Sequence, residues 1–110
     1  MAQTIQVKVP ESARQIAARL RWALNADAVF LFGSHARGSS GPDSDLDIAV
    51  IVPESGESRY RRNVRARGLV GDIHVAKDIV VLTRLEWDEE QGVAGSLANT
   101  VAREGIKLHV

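Results

Sequence analysis

Hydrophobic positions along this chain follow two different periods. After Ile16, apolar residues recur at Leu20, Ala23 and Leu24, the spacing of one helix face, while Arg14, Arg19 and Arg21 fall on other faces. Pro10-Glu11-Ser12 reads as the start of that helix with Ser12 as its N-cap, and Asn25-Ala26-Asp27 as its end. The period then changes. Ala28–Phe32 is a short apolar run of strand formers closed by Gly33. Residues 34–38 have room for one helical turn, and Ser39-Ser40-Gly41-Pro42 is turn chemistry. Residues 45–52 predict a second strand ended by Pro53. Arg59–Leu69 predicts a polar, exposed helix, Gly71 and Asp72 mark a break, residues 73–75 a short extension, and residues 78–82 a third strand. A helical region at residues 86–90, a last helix over Leu97–Glu104 capped by Gly105, and a short closing strand at residues 106–110 complete the pattern. Strands alternate with helices, so the expected class is α/β (α+β): a small mixed β-sheet flanked by helices.

Composition narrows the class of partners. The chain has 110 residues, 45% of them hydrophobic and 25% charged, which predicts one globular domain over residues 1–110. With 14 basic and 14 acidic residues the formal charge is zero, so bulk electrostatics gives no general pull toward nucleic acid or an anionic membrane. Any nucleotide site must be built locally. The absence of cysteine excludes disulfides and thiolate metal sites and leaves carboxylate sites for hard cations. The amino-terminal MAQTIQVKVPES lacks the long apolar run of a signal peptide, and stretches such as residues 48–52 are far shorter than the ~20 residues of a membrane span. We therefore expect a cytoplasmic protein with no membrane contact.

Within the second strand, alternation places Asp45, Asp47, Ala49 and Ile51 on one face and Leu46, Ile48, Val50 and Val52 on the other. Two residues of strand rise separate the two aspartate Cα atoms by ~6.5–7 Å. Two like charges that close repel, and burial adds a desolvation cost. A bound Mg²⁺ would remove both problems, and carboxylate oxygens are the ligands it prefers. The third strand offers Asp78 at the head of Ile79-Val80-Val81-Leu82, a third carboxylate that suits two-metal phosphoryl transfer or takes a nucleophile's proton. Asp72 is its rival, set back by its place beside Gly71 in a turn. Where the first strand ends, Gly33 allows backbone to approach a phosphate closely. Ser34 and the amides after it would donate to phosphate oxygens, and Arg37 offers a planar guanidinium to a triphosphate.

Gly33-Ser34, ten intervening residues and then Asp45-Leu46-Asp47 resemble the signature of the nucleotidyltransferase superfamily related to DNA polymerase β. The fuller string, GSHARG followed by SDLDIAV, is similar to its minimal nucleotidyltransferase branch, and Ala102-Arg103-Glu104-Gly105-Ile106-Lys107-Leu108 resembles that branch's closing helix and strand. The resemblance implies the polymerase β-like fold, ATP as donor and Mg²⁺, two ions, as cofactor. It implies phosphate binding by Gly33, Ser34 and Arg37, and metal binding and catalysis by Asp45, Asp47 and Asp78. It further implies transfer of a nucleoside monophosphate, AMP from ATP, to an acceptor hydroxyl. The acceptor it suggests is a HEPN-type toxin, with this chain as a type VII-like antitoxin.

Other readings stay open at this stage. The chain could neutralise a partner by contact with its nucleotide site vestigial, or sense nucleotide without turnover. Transfer to an aminoglycoside-like small molecule would need an acceptor-binding domain, so an acceptor site would come from a partner or a second copy in a homo-oligomer. The arginines at 59, 61, 62, 65 and 67 read as a solvated helix face or as a surface for an acidic partner or nucleic acid. Trp22 and Trp87 read as core or interface aromatics, His74 and His109 as structural, His35 as a solvated loop residue, and Asp43 as a turn residue.

Overall fold

The structure is a computed structural model that describes residues 8–110. Residues 1–7 of the stretch read as lacking a leader therefore lie outside the described residues. Four strands, β1 (Ala28–Phe32), β2 (Leu46–Val52), β3 (Lys77–Thr83) and β4 (Ile106–Lys107), form one sheet in the order β3-β2-β1-β4. The sheet is mixed: β1 runs antiparallel to β2 and to β4, and β2 runs parallel to β3. Parallel neighbours need a crossover, and α3 (Arg59–Leu69) supplies it.

Helices cover both faces. On one, α1 (Glu11–Ala23) and α3 press Ile16, Leu20, Ala66 and Val70 against Leu46, Ile48, Val50 and Val81. On the other, α4 (Arg84–Glu90) and α5 (Leu97–Glu104) place Trp87, Ala98 and Val101 over Ala28, Ala49, Ile51 and Leu82. A strand buried on both sides reads as a nearly unbroken apolar run, and β2 does so from Ile48 onward. Asp47 breaks that run, on the same face as Ala49 and Ile51. No helix among the described residues is long and apolar enough to cross a membrane.

Several expectations are corrected in detail. Helix α1 begins at Glu11 with Pro10 as its N-cap, so Ser12 lies inside the first turn and caps nothing. Helix α4 starts at Arg84, two residues before its predicted start, because Thr83 and Glu86 close a capping box. Residues 73–75 form no strand, although Ile73 and Val75 pack against the core. Strand β4 is only two residues long, and Gly105 stands at the end of α5 with extended backbone rather than a left-handed turn. Its lack of a side chain matters for space, since a Cβ there would lie 2.5 Å from the Val101 carbonyl oxygen. Trp87 stacks on Phe30 with ring centroids 5.4 Å apart, whereas Trp22 is 88% exposed. His74 and His109 are exposed and belong to no core.

The arginine-rich helix differs most from expectation. Arg62 is buried, forks onto Glu86 at 2.6 and 3.0 Å, and donates to the carbonyls of Val81 (2.9 Å) and Glu57 (3.2 Å). Arg59 bridges Glu86 and Glu90, and Arg65 pairs with Glu57. These pairs staple α3 to α4 and to the loop before α3. The hydrogen bond from Arg62 stabilises the Glu86 carboxylate, with help from the Thr83 amide and Arg59, and holds it well below the usual carboxylate range. Asn63 Oδ1 accepts from the Val81 amide at 2.8 Å. Together with the Arg62 bond to the same residue's carbonyl, this blunts the free edge of β3. Arg59 and Arg65 keep exposed side chains while making these pairs, as a solvated helix face would, and Arg62 is the exception in being buried.

Candidate active site

The end of β1 meets the beginnings of β2 and β3, and the residues singled out by pattern gather there. Register pairs Phe32 with Asp47 across β1/β2 and Asp47 with Asp78 across β2/β3. On that face Phe30, Ala49 and Val80 come next, followed by Ala28, Ile51 and Leu82. The two carboxylates therefore sit at the edge of the α4/α5 cluster, side by side on adjacent strands. Asp45 lies one residue before β2. The Ser44 carbonyl before it accepts from His35 Nε2 at 3.3 Å, and the Leu46 amide after it donates to Ala76 at 2.9 Å. A reciprocal pair between Gly41 and Ser44, at 2.8 and 3.1 Å, closes the turn that delivers it.

Gly33 is fixed by both backbone and space. Its φ of 72° and ψ of −152° lie where only glycine is at ease. A Cβ there would stand 2.1 Å from Asp47 Oδ2. The turn that opens at Gly33 and the aspartate are therefore in mutual contact. The turn is α2 (Ser34–Arg37), in which the amides of Ala36 and Arg37 both donate to the Gly33 carbonyl at 3.1 Å. At its start the amides of Ser34 and His35 have no acceptor within so short a helix. Arg37 points back to the molecule, its Nη1 donating to Glu104 Oε1 at 3.0 Å.

Charge identifies Asp47 as the centre. Burial, and then the negative charges of Asp78 and Asp45, raise its carboxyl above the usual range, while His35 and Arg37 pull the other way. Three carboxylates, a guanidinium and an imidazole thus share one field. The donor set is all oxygen and over-negative, which fits a hard divalent cation. As the side chains stand, no group of three or more acids or histidines among the described residues closes on one point tightly enough to hold an ion. Asp78 leans to Arg67, 3.6 Å away in an exposed pair. Asp72 is tied to Arg19 of α1, which lowers its carboxyl below the usual range.

The sequence profile of the nucleotidyltransferase domain family matches residues 13–107. The chain belongs to that family. This nucleotidyltransferase domain has no match among curated proteins. Among solved structures, it is similar to a candidate nucleotidyltransferase from Sulfolobus solfataricus, at 20% identity and a TM-score of 0.60, over 88% of this chain and 76% of that one. It is also similar to a chain of a toxin–antitoxin solved with AMP-PNP, at 18% identity and a TM-score of 0.55, over 87% of this chain and 72% of that one. A third likeness is to a chain of the toxin–antitoxin MntA–HpeT, in a mutant with two aspartates changed to glutamate. It stands at 18% identity and a TM-score of 0.54, over 88% of this chain and 72% of that one.

Two residues of the site escaped the sequence reading. His35 is half-buried rather than a solvated loop residue, and it clasps the turn before Asp45. Glu104 reaches Arg37 from 67 positions away, and no local signal announces such a contact.

Proposed function

We propose that this chain is one minimal nucleotidyltransferase domain that moves AMP from ATP to a hydroxyl of a protein partner, a HEPN-type toxin, and so serves as the antitoxin of that pair. The carrying observation is the register that sets Asp47 beside Asp78, with the Gly33 turn pressed against the Asp47 carboxylate. The likeness to toxin–antitoxin chains, one solved with AMP-PNP, supports the choice of partner and donor.

In this reading Asp45 and Asp47 hold Mg²⁺, with Asp78 beside them. The Ser34 hydroxyl and the first amides of α2 donate to the outer phosphates. Direct amide donors matter more here than a helix dipole, since α2 has four residues. The acceptor oxygen bonds to the α-phosphorus as the bond from that phosphorus to the α,β-bridging oxygen breaks. Pyrophosphate leaves with the electron pair, and the hydroxyl proton passes to the Asp78 carboxylate. When bound, two magnesium ions supply activation of the attacking oxygen and neutralisation of the leaving group.

The test is incubation with α-labelled ATP, Mg²⁺ and the product of the neighbouring gene. Label should appear on the neighbour with the intact chain and not with Asp47→Ala, and γ-labelled ATP should leave it unlabelled. Protection of cells by Asp47→Ala, with no label on the neighbour, would replace transfer by neutralisation through contact.

A further inference from the structure

We infer that Glu104 is a positioning residue of this site: it anchors Arg37 by one arm so that the remaining guanidinium donors face the phosphates of the nucleotide. The inference rests on the nucleotidyltransferase reading above. Arg37 uses only Nη1 toward Glu104, at 3.0 Å, and its side chain remains 52% exposed. A guanidinium has five N–H donors in a rigid fork, so holding one arm leaves a face for a second anion. Arg37 ends α2, the turn that opens at Gly33, and Gly33 is in contact with Asp47, which places the guanidinium beside the same site.

Glu104 is oddly placed for a helix. It is the last residue of α5, where exposed carbonyls disfavour an anion and favour a cation. Its neighbour Arg103 already provides that cation and bonds Asn99 within the helix. A carboxylate at a helix end that favours a cation points to a role outside the helix, and the Arg37 contact supplies one.

The anchor is also rigid. Val101 and Ala98 of α5 are in the core, and Gly105 lets the chain turn against the Val101 carbonyl into β4. Strand β4 then pairs Ile106 with Leu31 of β1, antiparallel. Two residues beyond that pair in each direction stand Glu104 and Gly33, so the register itself carries the carboxylate to the phosphate turn. A side chain held by core packing and a sheet register can orient its partner in a way a loop residue cannot.

The experiment titrates AMP-PNP with Mg²⁺ into the full chain by calorimetry, for wild type, Glu104→Ala, Arg37→Ala and the double variant, with melting curves for each. Glu104→Ala should weaken binding about fivefold, within the coupling range of neighbouring charged groups. In the Arg37→Ala background the same change should cost nothing more. The charge swap Arg37→Glu with Glu104→Arg should restore the melting temperature without restoring affinity, which a merely structural pair would not do. Binding by Glu104→Ala as tight as wild type or tighter, equal losses in both backgrounds, or affinity regained by the swap would each overturn the inference. Loss in Arg37→Ala without loss in Glu104→Ala removes this inference alone. Failure of wild type to bind AMP-PNP removes the nucleotide reading, and the role of Glu104 with it.

Discussion

Replacing Gly33 with alanine tests the contact on which the site is built. The substitution acts twice. Its backbone angles, φ 72° and ψ −152°, are open to glycine and strained for alanine by ~1–3 kcal/mol. The new Cβ would also meet Asp47 Oδ2 at 2.1 Å and Cγ at 3.0 Å, so the carboxylate must swing away, an overpacking cost of ~1–3 kcal/mol. Against this, alanine restricts the unfolded chain and returns ~0.4–1 kcal/mol. The balance is a loss of about 1–5.6 kcal/mol, or about 4–22 °C in Tm at about 4 °C per kcal/mol for a chain near this size. Thermal unfolding followed by circular dichroism reads the first quantity, and label transfer reads the displacement of Asp47 as loss of activity. The two costs separate in an Asp47→Ala background. There the carboxylate is gone and the nearest remaining atom, Asp47 Cβ at 3.3 Å, is tolerable. Gly33→Ala should then cost about 1 kcal/mol less than in wild type, a coupling within the range for touching residues. An equal cost in both backgrounds, or a cost under about 0.5 kcal/mol in wild type, would show that turn and aspartate are not in contact and refute the reasoning.

Other perturbations follow from the same electrostatics. Asp47→Asn should raise the stability of metal-free protein at neutral pH while abolishing transfer. The raised carboxyl favours the protonated form in the fold, so wild type keeps that contribution fully below 3.8 and loses it as pH rises through the raised value. The advantage of the asparagine should therefore vanish in acid and reverse at saturating Mg²⁺ and nucleotide, both read by melting temperature. Arg62→Met should cost ~1–3 kcal/mol in denaturant unfolding, because the Val81 and Glu57 carbonyls lose their donor while Glu86 keeps Arg59 and the Thr83 amide. Glu86 has the opposite sign to Asp47: its contribution is complete above 4.5 and is lost as pH falls below that value. Acid melts of Glu86→Gln should accordingly show a shallower fall in stability than wild type.

Much of the sheet was legible because it is double-covered. Unbroken apolar runs in β1 to β3 and turn residues between them leave few alternative pairings, and helices α3 and α5 stand over the predicted residues. That Gly33, Asp47 and Asp78 come together was legible from the strand pattern, because the apolar runs that follow each aspartate set the β2/β3 register and Gly33 closes β1 opposite Asp47. Arg62 was not, since a long run of arginines hides one whose tail is buried. The stripe Arg62, Ala66, Val70 carries the signal, three positions four apart on one face. The capping box at Thr83 and Glu86 is also visible in the sequence as Thr-x-x-Glu and accounts for the earlier start of α4. The Arg37–Glu104 pair is different in kind. It depends on where β4 docks, and a two-residue strand leaves too little pattern to fix a register in advance.

The proposed function requires Asp45 and Asp47, beside Asp78 and the Gly33 turn, to bind a metal–nucleotide complex. Crystals of the full chain grown with AMP-PNP and Mn²⁺ test it most directly, because manganese is located by its anomalous scattering. The expected result is an anomalous peak bonded to Asp45 and Asp47 oxygens at about 2.1 Å, as for a hard octahedral cation, with the phosphates against the Gly33–Ser34 amides. A nucleotide bound elsewhere, or a peak that none of these carboxylates touches, would contradict it.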